Sequence, residues 1–266
     1  MPDLSAAPAR DLRLALLQQP LVWHDRAANL GHFETLLETM EAVDLVVLPE
    51  MFTTGFTMDS AQQAEADGHT LRWLQQQAAR HRCALAGSVA VRADDGRCYN
   101  RFYLVSATGE VQQYDKRHLF AMAGEHQSYA PGSQRLIAEL SGWRICPQIC
   151  YDLRFPVWSR HCTSAGYDLL LYVANWPDKR RLHWRSLLQA RAIENQSWCV
   201  GVNRIGRDGN GVNYVGDSLI IDPLGNIVAD ALDQATVLCQ TLSAQAVQQV
   251  RSQLPFLRDA DAFQLG

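Results

Sequence analysis

The sequence predicts an α/β protein of the α+β type, a four-layer α-β-β-α sandwich of two mixed sheets flanked by helices. Three observations predict it. Short β-branched and apolar runs recur between longer segments of helical spacing, the pattern of a mixed α/β chain. Tight-turn sequences join several neighbouring runs, so hairpins are present and the sheets cannot be wholly parallel. No composition break, linker or internal repeat divides the chain, so residues 1–266 are read as one domain. With helices available to cover the outer faces, two packed sheets are favoured over a doubly wound single sheet.

The elements follow in order. The polar first ten residues are expected to be loosely held. Residues 12–17 form the first apolar strand. Asp25 caps a helix whose buried stripe is Leu30, Phe33, Leu37 and Met40, three to four residues apart. Residues 45–48 and 84–91 are strands, and Ala93-Asp94-Asp95-Gly96 turns the chain towards a strand over 101–106. Ala107-Thr108-Gly109-Glu110 turns it again. Ser141-Gly142 leads into the run 145–150, and 169–173 is a further strand. A second helix presents Trp184, Leu187, Leu188 and Arg191 on one face, and Asp222-Pro223-Leu224-Gly225-Asn226 is a late turn.

Composition narrows the function classes. With 47% apolar and 20% charged residues the chain is of ordinary soluble type, and a formal net charge of -4 gives no basis for binding nucleic acid or an anionic membrane. The one basic run, Arg180-Arg181-Leu182-His183-Trp184-Arg185, opens a helix and is read as a solvated helix start or a subunit contact. No apolar stretch approaches the ~18 residues of a membrane span, and the N-terminus lacks a secretion signal, so a cytoplasmic location is expected. Seven scattered cysteines suit reduced thiols. Cys146 and Cys150 would lie ~13 Å apart on one strand, against a ~7 Å limit for a disulfide, and the same distance disfavours shared zinc ligation.

Cys150 sits where an apolar strand gives way to the turn-prone Tyr151-Asp152-Leu153-Arg154-Phe155-Pro156, a place where a fold can expose a nucleophile. Alone, such a cysteine is more often a small buried hydrophobe. Glu50 ends the strand-like Asp44-Leu45-Val46-Val47-Leu48-Pro49 and precedes the apolar Met51-Phe52-Thr53-Thr54-Gly55-Phe56, which would partly desolvate a carboxylate. Lys116 is one of only two lysines among 24 Lys and Arg residues, the other being Lys179, read as an ordinary exposed residue. A chain that uses arginine almost everywhere keeps a lysine where a compact point charge is needed.

Together these segments resemble the nitrilase superfamily of carbon-nitrogen hydrolases, whose Glu-Lys-Cys triad comes from three separated motifs. They read here as Leu48-Pro49-Glu50-Met51-Phe52, Tyr114-Asp115-Lys116-Arg117-His118-Leu119-Phe120 and Ile149-Cys150-Tyr151-Asp152-Leu153-Arg154-Phe155-Pro156. The likeness continues through Tyr172-Val173-Ala174-Asn175-Trp176-Pro177, Gln189 to Asn195 and Gly216-Asp217-Ser218. It looks closest to the ω-amidases, because true nitrilases follow the cysteine with Trp-Glu where this chain has Tyr151-Asp152.

The resemblance implies a thiol nucleophile Cys150, a general base Glu50, and Lys116 with the Tyr151 amide as oxyanion donors. It implies a small ω-amide substrate such as 2-oxoglutaramate, a thioester intermediate and a homodimer; the three side chains suffice for the chemistry, so no metal or organic cofactor is expected. Glu125 occupies the position of a second superfamily glutamate that orients Lys116; its alternative is an exposed loop carboxylate. Arg154 either grips a substrate carboxylate or pairs with Asp152 or Glu125. Phe56, Phe120 and Trp176 are candidate pocket walls, though most aromatics in such a chain are core.

Other classes fit less well. A papain-like protease would need a histidine base in that family's local pattern, which is missing. Gly206-Arg207-Asp208-Gly209-Asn210-Gly211 lacks the Lys-Ser/Thr ending of a phosphate loop and is read as a mobile turn. A non-catalytic binding protein of the same fold, or a carbamoyl-amide or nitrile hydrolase, remain as alternatives.

Overall fold

The computed structural model describes residues 8–161 and 166–261. The strands are β1 (Leu12–Gln18), β2 (Leu45–Val47), β3 (Ala84–Arg92), β4 (Cys98–Val105), β5 (Val111–Asp115), β6 (Ala138–Leu140) and β7 (Trp143–Ile149), then β8 (Leu169–Ala174), β9 (Trp198–Asn203), β10 (Ile205–Arg207), β11 (Asn213–Val215), β12 (Leu219–Ile221), β13 (Ile227–Asp230) and β14 (Thr236–Leu242). The helices are α1 (Arg26–Thr39), α2 (Ser60–Gln63), α3 (His69–His81), α4 (Glu125–Ser128), α5 (Pro156–Ser159), α6 (Arg181–Asn195) and α7 (Ala244–Gln253).

Two six-stranded sheets carry the fold, in the orders β14-β1-β2-β3-β4-β5 and β13-β12-β9-β8-β7-β6. Each has a parallel centre and antiparallel edges: β1-β2-β3 and β7-β8-β9 run parallel, while β4, β5, β14, β6, β12 and β13 pair antiparallel. The expected turns at 93–96, 107–110, 141–142 and 222–226 make the hairpins that force this mixture.

The central strands read as continuous apolar runs because both their faces are covered. Successive side chains point to opposite faces, so Leu14 and Leu16 of β1 meet Leu169, Leu171 and Val173 of β8 between the sheets. Ala15 and Leu17 face outward onto Leu30, Phe33 and Leu37 of α1 and Trp73 and Leu74 of α3. On the other outer face, Leu170 and Tyr172 pack under Trp184 and Leu188 of α6. Gly201 lets α6 lie this close: a Cβ there would sit 2.6 Å from Leu188. The result is the four-layer sandwich.

Two local expectations change. Asp25 does cap α1, accepting from Ala28 N–H at 2.9 Å, but Met40 has left the helix with extended backbone. Residues 1–7 lie outside the described residues, whereas Arg10 is held by Asp44 at 2.9 Å and Ser141 at 3.0 Å instead of being loose. Among the described residues Cys83, Cys98, Cys150, Cys199 and Cys239 are free thiols. No helix among them is long and apolar enough to cross a membrane.

Candidate active site

Three strand ends of two sheets meet at one edge of the sandwich. Glu50 follows β2, on a turn locked to β3 by Leu48 N–H to Ala86 C=O (2.7 Å) and Met51 N–H to Ser88 Oγ (2.9 Å). Lys116 directly follows β5, its N–H donating to Asn100 C=O at 3.0 Å. Cys150 follows β7 and opens a 3-10 turn, Cys150–Arg154, with φ of +43°. That left-handed conformation costs a non-glycine residue about 1–2 kcal/mol, and such strain persists only where the surroundings enforce it.

The side chains converge. Lys116 Nζ donates to Glu50 Oε1 at 3.0 Å and to both Glu125 oxygens at 2.9 Å, with all three residues fully buried. Asn100 Nδ2 adds a bond to Glu50 Oε1 at 2.8 Å. Asn175 joins base to thiol: its N–H donates to Glu50 Oε2 at 2.8 Å, while its carbonyl lies 3.9 Å from Cys150 Sγ, the thiol donating. Glu125 also accepts from Phe120 N–H at 2.6 Å, so it is a buried partner of Lys116 and not an exposed loop carboxylate.

Electrostatics follow from that burial. Desolvation alone would lower the Lys116 ammonium, but the Glu125 and Glu50 carboxylates outweigh it and raise its pKa, keeping it charged. Glu125 is raised by burial, against the pull of Lys116. The Cys150 thiol is pushed well above its ordinary value by burial and by Glu50, so at rest it carries its proton and attack requires a base.

Cys150 opens on a pocket of about 590 Å³ whose walls include Phe56, Phe120, Tyr151, Arg154 and Trp176. Phe56 is also packed against the Lys116 ammonium, 5.0 Å from ring centroid to Nζ. The Tyr151 N–H lies in the first turn of the 3-10 segment, where amides have no intrahelical acceptor. Arg154 stacks over the Trp176 ring at 4.7 Å and reaches His183 Nδ1 at 3.2 Å. The alternative pairing of Arg154 with Asp152 or Glu125 is ruled out by geometry, because both carboxylates are already filled with other donors.

Some of the lining was not read from the sequence. Lys179 is exposed, as expected, and lines the pocket beside Arg180, which lies over Phe120 at 5.4 Å. The basic run it precedes is not simply solvated: Arg181 and Arg185 pair with Asp217, Arg185 also with Asp230. The segment 206–211 is a structured pocket wall. Asp208 Oδ1 accepts the N–H groups of Asn210 and Val212 at 2.9 Å, and Oδ2 accepts the Tyr214 hydroxyl at 2.9 Å. Gly209 is seated on Trp23, where a Cβ would come within 2.4 Å. Asn100 and Asn175 carried no signal of their own; Asn175 stood only inside a matched motif.

A family model described as carbon-nitrogen hydrolase matches residues 13–252. The chain belongs to the carbon-nitrogen hydrolase family. Among curated members of that family, it is 52% identical to omega-amidase YafV of Yersinia enterocolitica over 255 residues, covering 96% of this chain and 98% of the relative. It is 35% identical to the 2-oxoglutaramate amidase of Bacillus subtilis (strain 168), covering 92% and 96%. Among solved carbon-nitrogen hydrolases, a superfamily protein from Xanthomonas campestris, crystallised with an arsenic adduct in its active site, superposes with a TM-score of 0.93. That protein is 45% identical, with 96% of this chain and 99% of the other covered.

Proposed function

We propose that this protein is an amidohydrolase that cleaves ω-amides of small dicarboxylic or 2-oxo acids, 2-oxoglutaramate among them, to the acid and ammonia. The observation that carries the reading is the buried Glu50-Lys116-Glu125 cluster beside a thiol on the wall of a cation-rimmed pocket. Relatives named omega-amidase and 2-oxoglutaramate amidase support the same substrate class.

Cys150 Sγ attacks the amide carbonyl as Glu50 takes its proton. Charge developing on the carbonyl oxygen is met by Lys116 Nζ and the Tyr151 N–H, donors already in place before the reaction. A hydrogen shared between the two Glu125 oxygens leaves one Lys116 N–H for this oxygen. Glu50 then returns the proton to the leaving nitrogen, the C–N bond breaks, and ammonia departs from a Cys150 thioester. Water deprotonated by Glu50 attacks the thioester carbonyl, the C–S bond breaks to free the acid, and Cys150 Sγ takes the proton back from Glu50.

Arg154 receives the substrate carboxylate. Among the described residues Arg154, Lys179 and Arg180 have no ion-pair partner, which leaves them available for an anion, and Phe56, Phe120 and Trp176 flank the chain of the substrate. We take residues 1–266 to act as one domain in a cytoplasmic homodimer, with exposed Leu182 and Ile193 of α6 and Phe256 beyond α7 supplying apolar contact. Ammonia release from 2-oxoglutaramate tests the function, and Cys150→Ala should abolish it. Turnover that survives in Cys150→Ala would end the mechanism.

A further inference from the structure

The segments that carry Lys116 and Cys150 share a buried carboxylate that the chemistry above leaves unused. Asp152, with no exposed surface, accepts from four donors. Its Oδ2 takes Ile149 N–H at 3.0 Å and the Tyr114 hydroxyl at 2.8 Å. Its Oδ1 takes the His118 N–H at 2.9 Å and His118 Nδ1 at 2.8 Å. A carboxylate facing Nδ1 is an acceptor, which assigns the proton to that nitrogen.

These bonds tie one motif to the other. Ile149 immediately precedes Cys150, while Tyr114 and His118 stand two residues either side of Lys116. The Tyr114 hydroxyl also accepts from Arg117 N–H at 3.1 Å and Trp158 Nε1 at 3.0 Å. The His118 ring lies flat on Phe155, with centroids 3.8 Å apart and planes 8° from parallel. Neither His118 nor Asp152 lines the pocket.

We infer that Asp152 and His118 are a positioning pair that sets the offset between Cys150 Sγ and Lys116 Nζ, so that both address one carbonyl. The strained Cys150 turn needs such an external clamp, and a misplacement of about 1 Å at a reacting centre costs on the order of 10²-fold in rate. This inference rests on the catalytic roles proposed above. A cluster that merely packed the core would affect melting and not the chemistry of the folded protein.

Two variants separate the readings. His118→Phe keeps the stack on Phe155 and removes the Nδ1 donor; His118→Asn keeps a donor near Nδ1 and loses the stack. Expected for His118→Phe is a fall in kcat of about tenfold with KM within about twofold, and a similar slowing of Cys150 alkylation by iodoacetamide, measured against a Cys150→Ser background. His118→Asn should stay within about threefold of the parent in both while melting lower. Equal losses in the two variants, or a His118→Phe protein with unchanged kcat and alkylation, would overturn the inference. Alkylation needs no amide, so a parent protein inactive on amides yet showing this pattern would end the substrate proposal and leave the positioning pair standing.

Discussion

Replacing Glu50 by Gln removes the base while conserving shape. Both Glu50 oxygens face donors: Lys116 Nζ and Asn100 Nδ2 at Oε1, and the Asn175 N–H at Oε2, at 2.8 to 3.0 Å. Wherever a glutamine places its NH2, one site becomes donor against donor. A buried unsatisfied donor costs about 1–3 kcal/mol, so melting should fall by that much without unfolding the chain. The kinetic loss is larger, because burial and Glu50 keep the Cys150 thiol protonated and the second carboxylate of the site, Glu125, is held by Lys116 Nζ and the Phe120 N–H. Loss of a general base costs about 10²–10⁴-fold, or ~3–5 kcal/mol on the barrier. Steady-state ammonia release, coupled to a dehydrogenase that consumes ammonia, should report this in kcat with KM little changed, since Arg154 lines the pocket and Glu50 is not among its lining residues. A Glu50→Gln protein keeping kcat within about tenfold of the parent would refute the assignment of base.

Four further outcomes are expected. The pH profile of Cys150 alkylation should inflect above the ~8.5 of a free thiol, since burial and Glu50 raise it, and Glu50→Gln should move the inflection down; an inflection at or below ~8.5 in the parent would indicate a preformed thiolate. By the same sign, a thiol whose folded pKa is raised contributes stability present below the unfolded pKa and lost above it. Cys83, pushed up to about 11 by burial, should therefore make melting fall between about pH 9 and 11, and less so in Cys83→Ala. Arg154→Leu should raise KM for 2-oxoglutaramate about tenfold, roughly the worth of one charge-assisted hydrogen bond, with a much smaller effect on an uncharged amide of similar length. Gly209→Ala forces a methyl onto Trp23 and should raise KM by displacing the 205–215 hairpin, with about 1–3 kcal/mol lost in a urea melt.

The legible elements share one property: they are buried on both faces or carry a cap. β2 and β8 are apolar throughout, β1, β3 and β7 are apolar apart from Arg13, Gln18, Ser88, Arg92, Arg144 and Gln148, and Asp25 marks the start of α1. β9 was missed because Gly201 and Asn203 interrupt its apolar run, and both have tertiary reasons: Gly201 fits under α6, and Asn203 Oδ1 accepts Trp176 N–H at 2.8 Å. α3 was missed because its N-cap is Gly68, with no side-chain cap, and its surface is a glutamine-rich stretch. β14 alternates at a sheet edge, where the strand signal is weakest.

By itself the sequence determined which chemical groups the chain owns and the order in which they come: a carboxylate after the strand β2, an ammonium in the segment 114–117, a thiol after the strand β7. Only the tertiary structure decided what those groups are. It fixed that Glu125 is buried on Lys116, that Arg154 stacks on Trp176 instead of pairing with an acid, and that the 206–211 turn is a pocket wall. The reason is that side-chain identity and backbone preference are local, whereas the interaction of two charges depends on their separation and on the water removed around them. Separation and desolvation are set by residues 9 to 125 positions apart, through the packing of two sheets, and no short window of sequence contains them all.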